Sequence, residues 1–188
     1  GSSGSGSAEQ AELPSFETLG DVFEVEADNS SYSYTETDFA YVYEYEGSQI
    51  RVTADMTEDV YKACDSISYE DEDHDAKVKE ALSVLPVKSV VDLAEYTLSQ
   101  EELDAYVGKT GQELLDAGFA QGNFYMTGDN PEFNLDKDYQ SYTFVFNEPI
   151  AEGTDVEDVE QTIASMTVKS VSYYGLSDKA SDPEMAEE

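Results

Sequence analysis

Leu85-Pro86-Val87-Lys88-Ser89-Val90-Val91 and Met166-Thr167-Val168-Lys169-Ser170-Val171-Ser172 are two copies of one stretch. Each has the β-branched content of a strand and follows a segment with helical spacing. Each therefore reads as the strand that closes a unit of helix and sheet. Two closures divide most of the chain into two related halves.

Upstream of the first closure, Leu13 to Gly20 reads as a short helical turn with Ser15 as N-cap. Val22 to Ala27 alternates apolar and acidic residues, which predicts a strand, and Asp28 to Ser31 predicts a turn. Tyr32 to Tyr34, Phe39 to Tyr45 and Ile50 to Ala54 then form an antiparallel meander turned at Gly47-Ser48. A helix follows from Asp55 to Ile67, with Met56, Val60, Cys64 and Ile67 as its apolar stripe. A second spans Asp73 to Val84, before the strand Val87 to Leu93.

The second half opens on two capping boxes, Ser99 with Glu102 and Thr110 with Glu113, and its helices stop at Gly108 and Gly118. Strands are expected over Asn123 to Thr127 and Tyr139 to Asn147, and a helix capped by Asp155 runs to Ser165. Residues 15–19 match 110–114, the aromatic strand 39–45 matches 142–146, and Asp55 to Val60 matches Asp155 to Val159. The expected fold class is α+β: two related helix and antiparallel-sheet repeats, packed as one or two small domains. The organisation is a flexible tether at 1–14, repeats at 15–95 and 96–176, and a disordered acidic tail at 177–188.

Charge excludes more than it assigns. Nine Lys and Arg stand against 43 Asp and Glu, a formal charge of −34. Phosphate-dependent binding to nucleic acid needs Lys and Arg, and so does attraction to an anionic membrane surface, so both are set aside. Cationic partners, basic peptides and metal ions fit the charge. No apolar run approaches the ~20 residues of a membrane-spanning helix. One cysteine, Cys64, leaves no internal disulfide and no multi-cysteine zinc site.

The tract Gly1-Ser2-Ser3-Gly4-Ser5-Gly6-Ser7 and the following Ala8 to Glu12 have the composition of a flexible spacer. They resemble the tether behind the lipid-bearing cysteine of mature bacterial cell-surface lipoproteins. That resemblance implies an extracellular domain held at the cell envelope by a lipid anchor upstream of residue 1. An expression remnant has the same composition.

Candidate sites are few. Tyr41, Tyr43 and Tyr45 share one face of a strand, and Tyr142 has the same setting in the second half. Covered by helices they are core; open, they are a ligand platform. Asp71, Asp73 and Asp75 copy the first ligand positions of an EF-hand loop, which makes calcium the one cofactor to consider. Ala76 stands where that loop needs Gly, and Leu82 where it needs Glu. The alternative is carboxylates placed at a helix N-terminus. Asp129, Asp136 and Asp138 are a looser oxygen cluster. Cys64 lies on an inward stripe, and the single histidine, His74, sits among carboxylates. No phosphate loop, nucleophile elbow or dinucleotide fingerprint is present.

The expected function is a non-catalytic extracellular binding domain, without a cofactor unless calcium, for a protein, peptide or cell-surface partner. One alternative is an inhibitor of a secreted hydrolase, since duplicated helix–sheet units with a Tyr-rich acidic surface are similar in architecture to β-lactamase inhibitory proteins. The disulfides usual in that family are ruled out here by the single cysteine. Another is an enzyme working with carboxylates alone.

Overall fold

The computed structural model describes residues 13–185. The tether lies outside them up to residue 12, and so do residues 186–188. The chain forms two compact units, residues up to Ala94 together with Ser181 onward, and Glu95–Ala180. The fold is α+β, as expected, with a four-stranded antiparallel sheet in each unit.

Unit 1 contains α1 (Leu19–Phe23), β1 (Asn29–Tyr34), β2 (Asp38–Tyr45), β3 (Ser48–Asp55), α2 (Glu58–Asp65), α3 (His74–Leu82) and β4 (Ser89–Asp92), with sheet order β1-β2-β3-β4. Unit 2 contains α4 (Gln100–Asp104), α5 (Gly111–Asp116), β5 (Ala120–Met126), β6 (Glu132–Lys137), β7 (Gln140–Phe146), α6 (Val159–Ile163) and β8 (Val168–Leu176), in the order β5-β6-β7-β8. A 3₁₀ turn at Leu93–Tyr96 leads out of unit 1, and another at Asp178–Ser181 follows β8.

The two quoted stretches are equivalent bond for bond. In unit 1 the Leu19 N–H donates to the Leu85 carbonyl at 2.9 Å, Gly20 to Ser83 at 3.0 Å, and Val87 to Glu17 at 2.9 Å. In unit 2 Gly111 donates to Met166 at 2.8 Å, Gln112 to Ala164 at 3.0 Å, and Val168 to Lys109 at 2.9 Å. Single antiparallel bridges, Thr18 with Pro86 and Thr110 with Thr167, complete both closures. Each closure ties the start of a helix to the segment entering the last strand, so the first helix is locked over the sheet.

These bonds reset the pairing of the halves. Thr18, not Ser15, corresponds to Thr110, and Asp21 accepts the Thr18 N–H at 3.3 Å as Glu113 accepts that of Thr110 at 3.0 Å. Helix α1 therefore covers residues expected in a strand, and the expected turn at 28–31 begins β1. The helix wins because the Asp21 carboxylate satisfies two N–H groups, those of Glu17 and Thr18, while Leu19 and Val22 turn fully into the core. Sheet order makes β7 the counterpart of β3 rather than of the aromatic β2. Helix α6 enters its closure as α3 does, so α2 is the helix that unit 2 lacks between its third and fourth strands. The cap of α6 is Asp158, which accepts the Gln161 N–H at 3.0 Å, not Asp155.

Each core lies between one sheet face and the helices. Leu19, Val22, Phe39, Tyr41, Tyr43, Val52, Cys64, Val78 and Leu82 fill unit 1. Phe119, Phe133, Leu135, Tyr142, Phe144, Phe146 and Ile163 fill unit 2. Residues 177–185, expected in a tail, are ordered against the sheets. Ser177 and Ala180 are buried, and the Ser177 hydroxyl donates to Asp136 at 2.7 Å.

Candidate functional site

The aromatic stripe of β2 is core. Tyr41 and Tyr43 are 3% and 2% exposed and Tyr142 is 0%, whereas Tyr45, at the strand end, is 43% exposed. Tyr41 meets the Phe23 ring edge-on at 5.4 Å, because α1 is a helix over that face and not another strand. Burial pushes the Tyr43 hydroxyl up to about 12. Burial also raises Tyr142, whose hydroxyl accepts the Leu98 N–H at 2.9 Å. A platform made of 41, 43 and 142 is excluded by this packing.

The acidic run around His74 is engaged locally. Asp71 accepts from Lys77 Nζ at 2.6 Å and from the Asp73 N–H at 2.8 Å, and the Lys77 bond holds its carboxyl below the usual range. Asp75 accepts the Tyr32 hydroxyl at 2.9 Å and lies 3.5 Å from Lys79 Nζ. Among the described residues, no three His, Cys, Asp or Glu side chains are gathered as a metal centre requires. Cys64 is buried and its thiol is pushed up by burial, so it is not a poised thiolate. His74 stacks on Tyr69 at 4.6 Å.

In unit 1 Tyr69 is exposed beside His74, whereas in unit 2 exposed aromatics gather on the sheet face that turns away from its core. Tyr125 stacks on Phe133 at 5.6 Å and Tyr173 meets Tyr142 at 5.8 Å, both on the core side. Alternation then sends Phe124, Met126 and Tyr174 to the opposite face. Their exposures are 37%, 56% and 57%. The Phe124 and Tyr174 rings touch edge-on, centroids 5.4 Å apart, although they start from the two outermost strands.

A bulge makes that meeting possible. Gln121 pairs with Leu135 and Tyr125 with Phe133, so residues 122–124 stand opposite Asn134 alone. Gly122 is needed there, because a Cβ would fall 2.4 Å from the Asn134 carbonyl oxygen. The extra residues carry Phe124 over a polar floor. Asn134, 1% exposed, donates to Ser141 Oγ at 3.2 Å and accepts from Thr143 Oγ1 at 3.2 Å. At the rim, Asn123 donates to Asp178 at 2.9 Å. A cavity of about 320 Å³ opens here, lined by residues 121–125, Asn134 and Val159.

Apolar rings over side-chain amides and hydroxyls form a surface that can bind, and none of these groups is a nucleophile paired with a base. The sequence reading missed this surface. Its signal lay in the unalternating Gly122-Asn123-Phe124-Tyr125-Met126 and in adjacent Tyr173-Tyr174, each of which forces one ring outward. No helix among the described residues is long and apolar enough to cross a membrane. No family model, curated protein or solved structure matches this chain.

Proposed function

We propose that this protein is a non-catalytic binding module, displayed outside the cell and held at the envelope, that engages its partner through the outward face of the unit 2 sheet. The observation that carries the reading is the exposed Phe124–Tyr174 pair, roofing the Asn134, Ser141 and Thr143 floor. Exposed aromatic area beside Met126 is what partner surfaces use for buried contact, and the amides supply direction. The formal charge of −34 favours a cationic protein or peptide and speeds encounter with it. The Gly/Ser tract and the acidity support the extracellular location.

A peptide array of graded charge, probed with the wild-type chain and with F124A/Y174A, tests this. Signals should concentrate on cationic peptides containing apolar residues and fall at least tenfold in the double variant. Signals equal for both proteins would move the site off this face.

A further inference from the structure

Eight of the nine cationic side chains are lysines; the single arginine is Arg51. It stands on β3 between Ile50 and Val52, which belong to the core, so it points to the other face of the unit 1 sheet. An arginine on that face would ordinarily be solvated. This one is 1% exposed. Its Nη2 donates to the Asp182 carbonyl at 2.8 Å and to the Met185 carbonyl at 3.3 Å.

The segment it holds lies across the strands. Sheet register places Ser31, Val42, Arg51 and Val91 in one row from β1 to β4. Ser31 donates to Ser181 Oγ at 3.0 Å at one end of that row, and Arg51 grips residues 182 and 185 further along it. The segment brings its own shape: Met185 donates to the Asp182 carbonyl at 3.2 Å, and the Asp182 carboxylate accepts the Glu184 N–H at 2.9 Å. Beside it the packing is incomplete. A cavity of about 370 Å³ lies between Pro183, Glu184 and Met185 on one side and Asp38, Arg51, Thr53 and Lys88 on the other.

We propose that this outer face is a peptide-binding groove for acidic, turn-forming segments of the type Ser-Asp-Pro-Glu-Met, and that residues 181–185 occupy it as an intramolecular ligand. Main-chain carbonyls bonded to a buried guanidinium give the affinity, as a fixed donor does for any chain that presents two carbonyls in a turn. Glu184 lines the same cavity as the single arginine and Lys88, the latter 3.4 Å from Asp55, so this face carries positive charge in a chain otherwise crowded with like charge. The residual cavity shows that the resident segment does not fill the groove, so a partner with a longer side chain at the Glu184 position can exchange with it.

The test uses the full chain and a fluorescein-labelled peptide of residues 179–188. Wild type is compared with D182A/P183G, which loosens the resident turn, and with the same pair carrying R51M. Glu-specific proteolysis after Glu184 reports release of the segment, and circular dichroism reports the fold. The loosened variant should be cleaved faster and bind the peptide at least tenfold more tightly than wild type, and R51M should remove that binding. Should R51M unfold, R51K, which keeps the charge without the planar fork, should weaken binding at least fivefold. The proposal is overturned by a loosened variant that is cleaved but does not bind, by one that stays protected, or by binding that both Arg51 variants leave unchanged.

Discussion

Leu19 and Gly111 take the same place in the two closures, each donating its N–H to the residue that precedes the bridge. In unit 1 a leucine fits there, fully buried. In unit 2 a mere Cβ would lie 1.9 Å from the Ile163 carbonyl oxygen. The same hydrogen bonds therefore hold two different spacings: the end of α6 presses on the backbone of α5, whereas the end of α3 leaves α1 room for a side chain. Backbone bonding sets the topology of each unit, and side-chain volume at the closure sets how tightly it shuts.

The largest expected effect breaks the tighter closure. G111A should destabilise unit 2 by about 3 kcal/mol or more, because backbone rather than a flexible side chain must move. L19A should destabilise unit 1 by roughly 2–5 kcal/mol through the opposite defect, a cavity. Denaturant melts followed separately in the two units would show both; a harmless G111A would mean that α5 and α6 are not in contact. By contrast, a Cβ on Gly20 meets Ser83 no closer than 3.2 Å. G20A should shift stability by no more than about 1 kcal/mol.

Smaller effects sharpen the comparison at the caps. Thr110 accepts the Glu113 N–H at 3.2 Å, and T110A should cost about 1 kcal/mol. The Thr110 N–H holds the Glu113 carboxyl below its usual range. A carboxylate with a depressed folded pKa stabilises at neutral pH and loses that contribution as pH falls through the folded value. The stability gap between wild type and E113A should therefore be present at pH 7 and close as the medium is acidified; a gap independent of pH would contradict the cap. At the alkaline end the sign reverses. The Tyr43 hydroxyl, pushed up to about 12, contributes stability that is complete below the ordinary tyrosine range and lost as pH rises towards that value. Part of the 295 nm tyrosinate signal should accordingly appear only with unfolding.

Much of this plan was legible in the sequence where a local rule acts alone. The closure stretches and the Ser99 and Thr110 boxes each depend on near neighbours. The β2–β3 hairpin was legible too, since Gly47 takes the positive φ its two-residue turn requires. Its counterpart between β6 and β7 was not. Asp138 and Tyr139 hold φ values of 49° and 73° without glycine to mark the turn, and the sequence reading places no strand over Glu132–Lys137. The tyrosine stripe shows the limit of face arguments: alternation put Tyr41 and Tyr43 on one side, but helix α1 decides that this side is interior. The runs Gly122–Met126 and Tyr173-Tyr174 each force one ring outward, but the meeting of Phe124 with Tyr174 depends on a bulge opposite Asn134 and on strands distant in sequence, which no local pattern displays.

That assignment of inside and outside is what the functional reading rests on, and tyrosine nitration measures it. The folded chain, treated briefly with tetranitromethane and mapped by mass spectrometry, should carry nitro groups at Tyr69, Tyr174 and Tyr45. Tyr41, Tyr43 and Tyr142 should stay unmodified until denaturant is added. Nitration of Tyr41 and Tyr43 in the folded protein, with Tyr174 spared, would contradict it and return the binding surface to the first sheet.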